Sequence, residues 1–172
     1  PEGISLIDQH AAHERVLYEK FLSEREQHTL AIQNLLEPRP VEAPIESADL
    51  LMEHLAVLAG LGLTLEHFGG TTFLLRSVPA LVAREDAQSV VNDIVAELDA
   101  GDAPLEAEQE ARLILRVCKR AAIKAGQTLA MAEMQELIRQ LEACASPRTC
   151  PHGRPTMIHL SAEQLAREFG RK

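Results

Sequence analysis

Two short segments of this chain concentrate side chains that can hold a metal ion. The first is Asp8-Gln9-His10-Ala11-Ala12-His13-Glu14. His10 and Glu14 are four residues apart, so a helix beginning near Gln9 places both on one face, as a shared ion requires. Asp8 stands just before that helix and can reach the same side. The second segment is Cys150-Pro151-His152-Gly153-Arg154-Pro155. In extended backbone, residues two apart point the same way, so Cys150 and His152 can grip one ion. The prolines and Gly153 keep this stretch out of regular helix. Thiolate and imidazole favour zinc-like ions, while carboxylates also accept manganese or magnesium. Beside a phosphate, ions in such a site can generate hydroxide and steady both oxygens of an in-line displacement, which is the chemistry of a nuclease.

Each segment alone also has a plainer explanation. A His and a Glu at helical spacing are commonly a surface pair. A lone Cys-Pro-His lacks the second cysteine pair of a zinc finger. Cys144 reads as a small core residue before it reads as a ligand. The order His-Ala-Ala-His-Glu is neither the H-E-x-x-H of the zinc peptidases nor its inverse.

The elements that must position these residues follow from periodicity. Ile4–Ile7 is strand-like, and the apolar spacing from Ala11 to Gln27 is helical. Three prolines within 29–45 predict extended segments and turns. Ser47 opens a helix ending near Gly60, and Leu63–Phe68 and Thr71–Val78 form a hairpin around Gly69-Gly70. The middle is helical: Ala87–Leu98, Leu113–Ala121 and Met131–Leu141 each carry a one-sided apolar face. Thr156–Leu160 returns as a strand, and Ser161 with Gln164 makes a capping box for a last helix. The expected fold class is α+β. A mixed sheet with helices spans residues 1–80 and 149–172, and a helical subdomain over 81–148 is inserted in it.

Bulk properties narrow the function. The 172 residues suffice for one domain or two small subdomains, and 46% hydrophobic content supports a real core. A net charge of −9 argues against a free-standing nucleic-acid binder, so any DNA contact must be local or helped by a partner. Three cysteines do not make a disulfide scaffold. No apolar run approaches the roughly 20 residues of a membrane span, and no signal peptide or Gly-rich nucleotide loop occurs. The start at Pro1-Glu2-Gly3 reads as part of a longer cytoplasmic protein.

Taken together, the segments resemble a known family. Asp8-Gln9-His10-Ala11, Glu14 and Glu19 match DQHA(x)2E(x)4E, the endonuclease signature of the MutL family of DNA mismatch-repair proteins. Val117-Cys118-Lys119 resembles its A-C-R/K element, with Val in place of Ala. Cys150–Pro155 matches its C-P-H-G-R-P, and Phe169-Gly170-Arg171 its terminal F-x-R. The four elements run in the family's order across nearly the whole chain. The resemblance implies a homodimer whose dimerisation subdomain comes from both chain ends, with a helical regulatory subdomain between them. It implies that Asp8, His10, Glu14, Cys118, Cys150 and His152 surround the metals, Zn2+ and/or Mn2+, and that Asp8, His10 and Glu14 serve catalysis. It further implies nicking of duplex DNA by a bacterial, cytoplasmic, nucleoid-associated protein. An N-terminal ATPase region, a mismatch-recognition protein and the replication sliding clamp are its implied partners.

Several positions admit two readings. Cys118 shares a face with Ile114 and Ala121, so periodicity alone makes it a buried small residue. Glu19 lies about 140° around the helix from Glu14 and either supports the site or belongs to the helix surface. Arg154 can meet a phosphate or pin its own loop to a carboxylate, and Arg171 stands with it as a support or phosphate contact. Gln33, Leu36 and Pro38 fit Q-x-x-L-x-P, similar to the family's clamp-binding peptide, or they begin a strand. Arg112, Arg116, Arg120 and Lys124 recur every four residues and form a stripe that guides DNA, or a solvated face with Glu108 paired to Arg112. The rival functions are a dimerisation and docking module whose metal is structural or absent, and a zinc hydrolase of small molecules.

Overall fold

The computed structural model describes residues 3–100 and 106–170. In chain order the elements are β1 (Gly3–Ile7), α1 (Gln9–Glu26), β2 (Ile32–Glu42), α2 (Ala48–Glu53), α3 (Leu55–Gly60), β3 (Thr64–Gly69) and β4 (Thr72–Pro79). They continue with α4 (Ala87–Asp99), α5 (Glu106–Ala121), α6 (Met131–Glu142), β5 (Met157–Ser161) and α7 (Ala162–Glu168). The α+β class stands. Among the described residues the strands are shared between two small antiparallel sheets, β1-β5 and β2-β4-β3.

Contacts divide the chain into two compact units, Pro1–Glu19 with Ala122–Lys172, and Lys20–Ala121. These cuts fall inside α1 and after α5, whereas periodicity had placed the boundaries near residues 80 and 148. Packing explains the first difference, since β2 and α2 both share contacts with α4. It also explains the second, because Leu137 and Leu141 of α6 are buried with Ala12 and Val16 of α1.

In the first unit, β1 lies antiparallel to β5, with Gly3 opposite Ser161 and Ile7 opposite Met157. Ile7 and Met157 turn toward a small core of Ala12, Val16, Leu129, Leu137 and Leu141, which Ile123 and Cys144 also help to close. Spacing of four along α1 and again along α6 puts these pairs on single faces. Asp8 starts α1: its Oδ1 accepts hydrogen bonds from the His10 and Ala11 N–H groups at 2.9 and 3.0 Å. That satisfies two donors a helix start leaves unpaired and sets negative charge at the positive helix end. The predicted capping box is present at α7. Ser161 Oγ accepts from Gln164 N–H at 3.1 Å, and Gln164 Oε1 accepts from Ser161 N–H at 2.8 Å.

In the second unit β4 is the central strand between β2 and β3. The predicted hairpin is there, with Gly69 and Gly70 at φ of +140° and +56°, backbone that side chains resist. Two prolines fall in β2, which tolerates them because it is an edge strand. On α4, Val90, Val91, Ile94, Val95 and Leu98 are all buried, each such side chain contributing about 1.5–3 kcal/mol by leaving water. The single helix expected from Ser47 to Gly60 is two, broken at His54, whose Nδ1 takes up the Leu50 carbonyl at 2.8 Å.

Candidate metal centre

Glu14 lies on α1 in the first unit and is only 5% exposed, although its side chain is a carboxylic acid. Its two oxygens face two imidazoles. Oε1 is 3.2 Å from His10 Nε2, the helical i, i+4 neighbour, and Oε2 is 3.3 Å from His152 Nδ1. Cys150, 1% exposed, completes a group in which one donor atom each from Glu14, Cys150 and His152 lies within 4.8 Å of the others. Residues 136 positions apart in sequence thus meet at one carboxylate.

The orientation of His10 is set from behind. Its Nδ1 is 2.8 Å from the Ile123 carbonyl oxygen, which can only accept, so Nδ1 carries the proton. Nε2 is left to face Glu14, either as a second N–H donor or as a lone pair sharing a cation with the carboxylate. Metal-binding histidines commonly have such a carbonyl behind the ring. The same 123–127 segment is tied to α1 by three more hydrogen bonds. Gln9 Nε2 donates to the Lys124 and Gln127 carbonyls at 3.1 and 2.8 Å, and Ile123 N–H donates to His13 Nδ1 at 2.9 Å. Burial, and secondarily the nearby His10, hold the His13 imidazole below its ordinary pKa.

Cys150 and His152 are brought round by a tight turn, not by the extended backbone expected from their spacing. Cys150 N–H donates to the Arg154 carbonyl at 2.7 Å, and Gly153 N–H to the Cys150 carbonyl at 2.9 Å. Pro151 presets one turn residue, and Gly153 takes a φ of +82° that a side chain would strain. Below the turn, Thr149 and Pro155 form an antiparallel bridge. The fully buried Thr156 donates its N–H to the Arg148 carbonyl at 3.0 Å and its hydroxyl to the Pro147 carbonyl. The donor chemistry fits a cation. A buried carboxylate is costly unless paired, and here it is ringed by two imidazoles and a thiol that are themselves ligands for borderline ions.

The remaining predicted residues are placed as follows. Asp8 spends Oδ1 on capping α1, and its Oδ2 has no hydrogen bond among the described residues. Glu19 accepts from the Ala145 and Ser146 N–H groups at 2.6 and 3.0 Å, so it holds backbone near the Cys150 turn. Arg154 is exposed, and its guanidinium makes no hydrogen bond or ion pair among the described residues, so it does not pin its loop. Arg171 lies outside the described residues. Cys118 is buried on α5 in the second unit beside Ile114 and Val117. In that unit Arg116 pairs with Asp93 at 3.3 Å, and Arg120 with Asp93 and Glu85 at 2.5 and 3.4 Å. The continuous four-residue stripe is cut short, because α5 ends at Ala121 and Lys124 lies beyond it; Arg112 remains exposed. Gln33, Leu36 and Pro38 are all exposed, and the ladder to β4 is interrupted between Asn34 and Arg39, where Leu36 stands fully in solvent. Gln9, His13 and Arg15 were not singled out from sequence; the only signal for His13 was its i+3 spacing from His10 on the same helix.

Comparison with known proteins agrees with the motifs. A family model described as the MutL C terminal dimerisation domain matches residues 1–129. The chain is 42% identical over 174 residues to the DNA mismatch repair protein MutL of Desulforamulus reducens, an alignment covering 98% of this chain and 26% of that protein. It is 41% identical over 171 residues to MutL of Gemmatimonas aurantiaca (99% of this chain, 28% of the relative). It is 44% identical over 168 residues to MutL of Acidiphilium cryptum (96% and 29%). The chain therefore spans less than a third of the length of these relatives, and it belongs to the MutL C-terminal dimerisation domain family.

Proposed function

We propose that this region is the metal-dependent DNA-nicking and homodimerisation part of a MutL-type mismatch-repair protein. The observation that carries the reading is Glu14, a buried carboxylate with His10 on one oxygen, His152 on the other and Cys150 beside it. Zinc or manganese held by these four residues would supply Lewis acidity toward a phosphodiester. His10 is pre-oriented by the Ile123 carbonyl, so no ring rotation is lost on binding. Glu14 gives each oxygen to a different imidazole, which suits one ion or a close pair. Asp8 and Cys118 join the ligand set on the strength of the resemblance. Arg154, exposed beside the site, is the side chain we assign to a phosphate of the DNA. Arg112, with Arg116, Arg120 and Lys124, is a weaker candidate for guiding the duplex, since Asp93 and Glu85 already neutralise part of the set.

Two surfaces support the partners. In the β1-β5 register Ile4 stands opposite Leu160 and Leu6 opposite Ile158, which gathers four apolar side chains on one side. Ile4, Leu6 and Ile158 are each about half exposed (50%, 50% and 51%), and a two-stranded sheet needs cover to persist in water. We assign this face to the homodimer, so the unit built from both chain ends is the dimerising one. The loosened stretch around Gln33, Leu36 and Pro38 offers an extended peptide to a sliding clamp. The ATPase region and the mismatch-recognition protein are further proposed partners in a bacterial cytoplasm near the nucleoid. No helix among the described residues is long and apolar enough to cross a membrane.

The test is plasmid nicking by the metal-stripped chain with zinc and manganese added back, beside Glu14→Ala and Cys150→Ala. Saturable metal uptake and manganese-dependent nicking, both weakened by either substitution, are expected. Absence of metal uptake, or uptake indifferent to both changes, would remove the nuclease and leave a dimerisation module.

A further inference from the structure

Arg15 directly follows Glu14 on α1 and Glu19 lies one turn further along, both in the same unit as the Cys150 turn. Neither side chain belongs to the donor group around Glu14. Both reach the segment that leads into Cys150. Arg15 Nε donates to the Thr149 carbonyl at 2.6 Å, the peptide unit that joins Thr149 to Cys150. Glu19 uses both carboxylate oxygens on consecutive amides, Ala145 and Ser146, at 2.6 and 3.0 Å. The two side chains also meet each other, Arg15 Nη1 to Glu19 Oε1 at 3.5 Å, at the i, i+4 spacing that stacks them on one face. Arg15 is only 12% exposed and Glu19 22%, and the Arg15 guanidinium lies 5.9 Å from the centre of the Tyr18 ring.

The segment needs such help. Residues 145–149 follow the end of α6 with no helix or strand of their own, and Pro147, Pro151 and Pro155 remove three of the N–H groups that could have built a ladder. Charge-assisted bonds from a shielded arginine and carboxylate are the strong kind. The connection they make is short. Glu14 is bonded covalently to Arg15, Arg15 is hydrogen-bonded to Thr149, and Thr149 is bonded covalently to Cys150. The immediate neighbours of two metal-ligand candidates are thereby tied together.

We propose that Arg15 and Glu19 are positioning residues of the metal centre, which lock the Cys150 turn to α1 so that the thiol meets Glu14 already in place. The inference rests on the metal-binding reading above, and one arm of its test does without a metal. In the metal-free chain, alkylation of each cysteine is followed by peptide mass spectrometry in the parent, Arg15→Gln, Arg15→Lys and Glu19→Gln. Cys150 is expected to react at least about tenfold faster in the variants, while the buried Cys118 keeps its parental rate and reports that the rest of the chain is folded. In the second arm Co2+ is titrated, and the sulfur-to-cobalt charge-transfer absorption is read. Its intensity per bound ion is expected to fall, with affinity about 10–100-fold weaker, the usual consequence of losing a residue that supports a ligand. Arg15→Lys keeps the charge without the planar fork and should recover only part of either signal. Unchanged Cys150 alkylation and an unchanged cobalt spectrum in the variants would overturn the proposal. So would Cys118 and Cys150 becoming reactive together in all three, which would make the pair a plain stability element. A parent chain with no cobalt absorption would instead overturn the metal reading, and the alkylation arm would still decide whether the turn is locked.

Discussion

Replacing Glu14 by Gln keeps the shape of the side chain and removes the charge that two imidazoles share. In the metal-free chain the effect on stability should be small, within about 1 kcal/mol in either direction. The lost attraction to His10 and His152 is moderated because their side chains are 25% and 38% exposed, and the cost of burying a carboxylate disappears with it. With metal the two chains should part. At a zinc concentration of about 100 times Kd, binding to the folded state alone stabilises the parent by about 2.7 kcal/mol. For a chain of this size each kcal/mol moves the melting midpoint by about 2–4 °C, so the parent should gain roughly 5–11 °C. If Glu14→Gln weakens binding about 100-fold, the same zinc adds only about 0.4 kcal/mol, or about 1 °C. The assay is a thermal melt by circular dichroism with and without zinc. A variant that melts far lower without metal yet gains the full zinc shift would refute the reasoning, since Glu14 would then be a structural group and no ligand.

Three further outcomes are expected. Because burial and His10 keep the folded His13 imidazole below its ordinary value of 6.5, the unfolded chain binds the extra proton first. The stability that neutral His13 contributes is therefore present above about pH 6.5 and declines as pH falls through it. Melts of His13→Gln between pH 7 and 5 should show a shallower decline than the parent; a parallel decline would clear His13 of the effect. Leu36→Ala, at a fully exposed position, should change stability by less than about 0.5 kcal/mol while weakening capture of a sliding clamp measured by surface plasmon resonance. Equal capture would place the clamp elsewhere. Ile158→Glu puts a charge in the exposed apolar face of β1-β5 and should shift sedimentation from dimer to monomer with the circular dichroism spectrum retained. A persistent dimer would move the interface off this sheet.

What could be read from sequence was local. The His10–Glu14 spacing on a helix, the Gly69-Gly70 hairpin, the one-sided apolar face of α4 and the Ser161–Gln164 capping box all depend on residues within a few positions of one another. Each rests on a backbone period or on a side chain too short to reach elsewhere. Where the competing partner was distant, the reading failed or stayed open. The Cys150–His152 segment was expected to be extended, but the bonds from Cys150 to Arg154 and from Thr156 to Arg148 close it into a turn. On a helical projection the arginines of α5 form a stripe open to two readings; Asp93 and Glu85, on chain that comes earlier, take up Arg116 and Arg120. The subdomain boundaries near 80 and 148 stay open: they mark changes of periodicity, while the two compact units follow side-chain packing across the sequence.

For this protein, then, residue types and spacing were enough to determine the donor chemistry, most of the element types and the family, because those are properties of short segments and their order. Only the tertiary structure decided that Glu14 would be the carboxylate between two imidazoles, that His10 would be aimed by the Ile123 carbonyl, and that Arg15 and Glu19 would hold the backbone leading to Cys150. Apart from the helical pair His10–Glu14, those contacts join residues more than 100 positions apart. No local propensity encodes them, since they form only when the small core of Ala12, Val16, Leu137 and Leu141 closes and brings the two chain segments together.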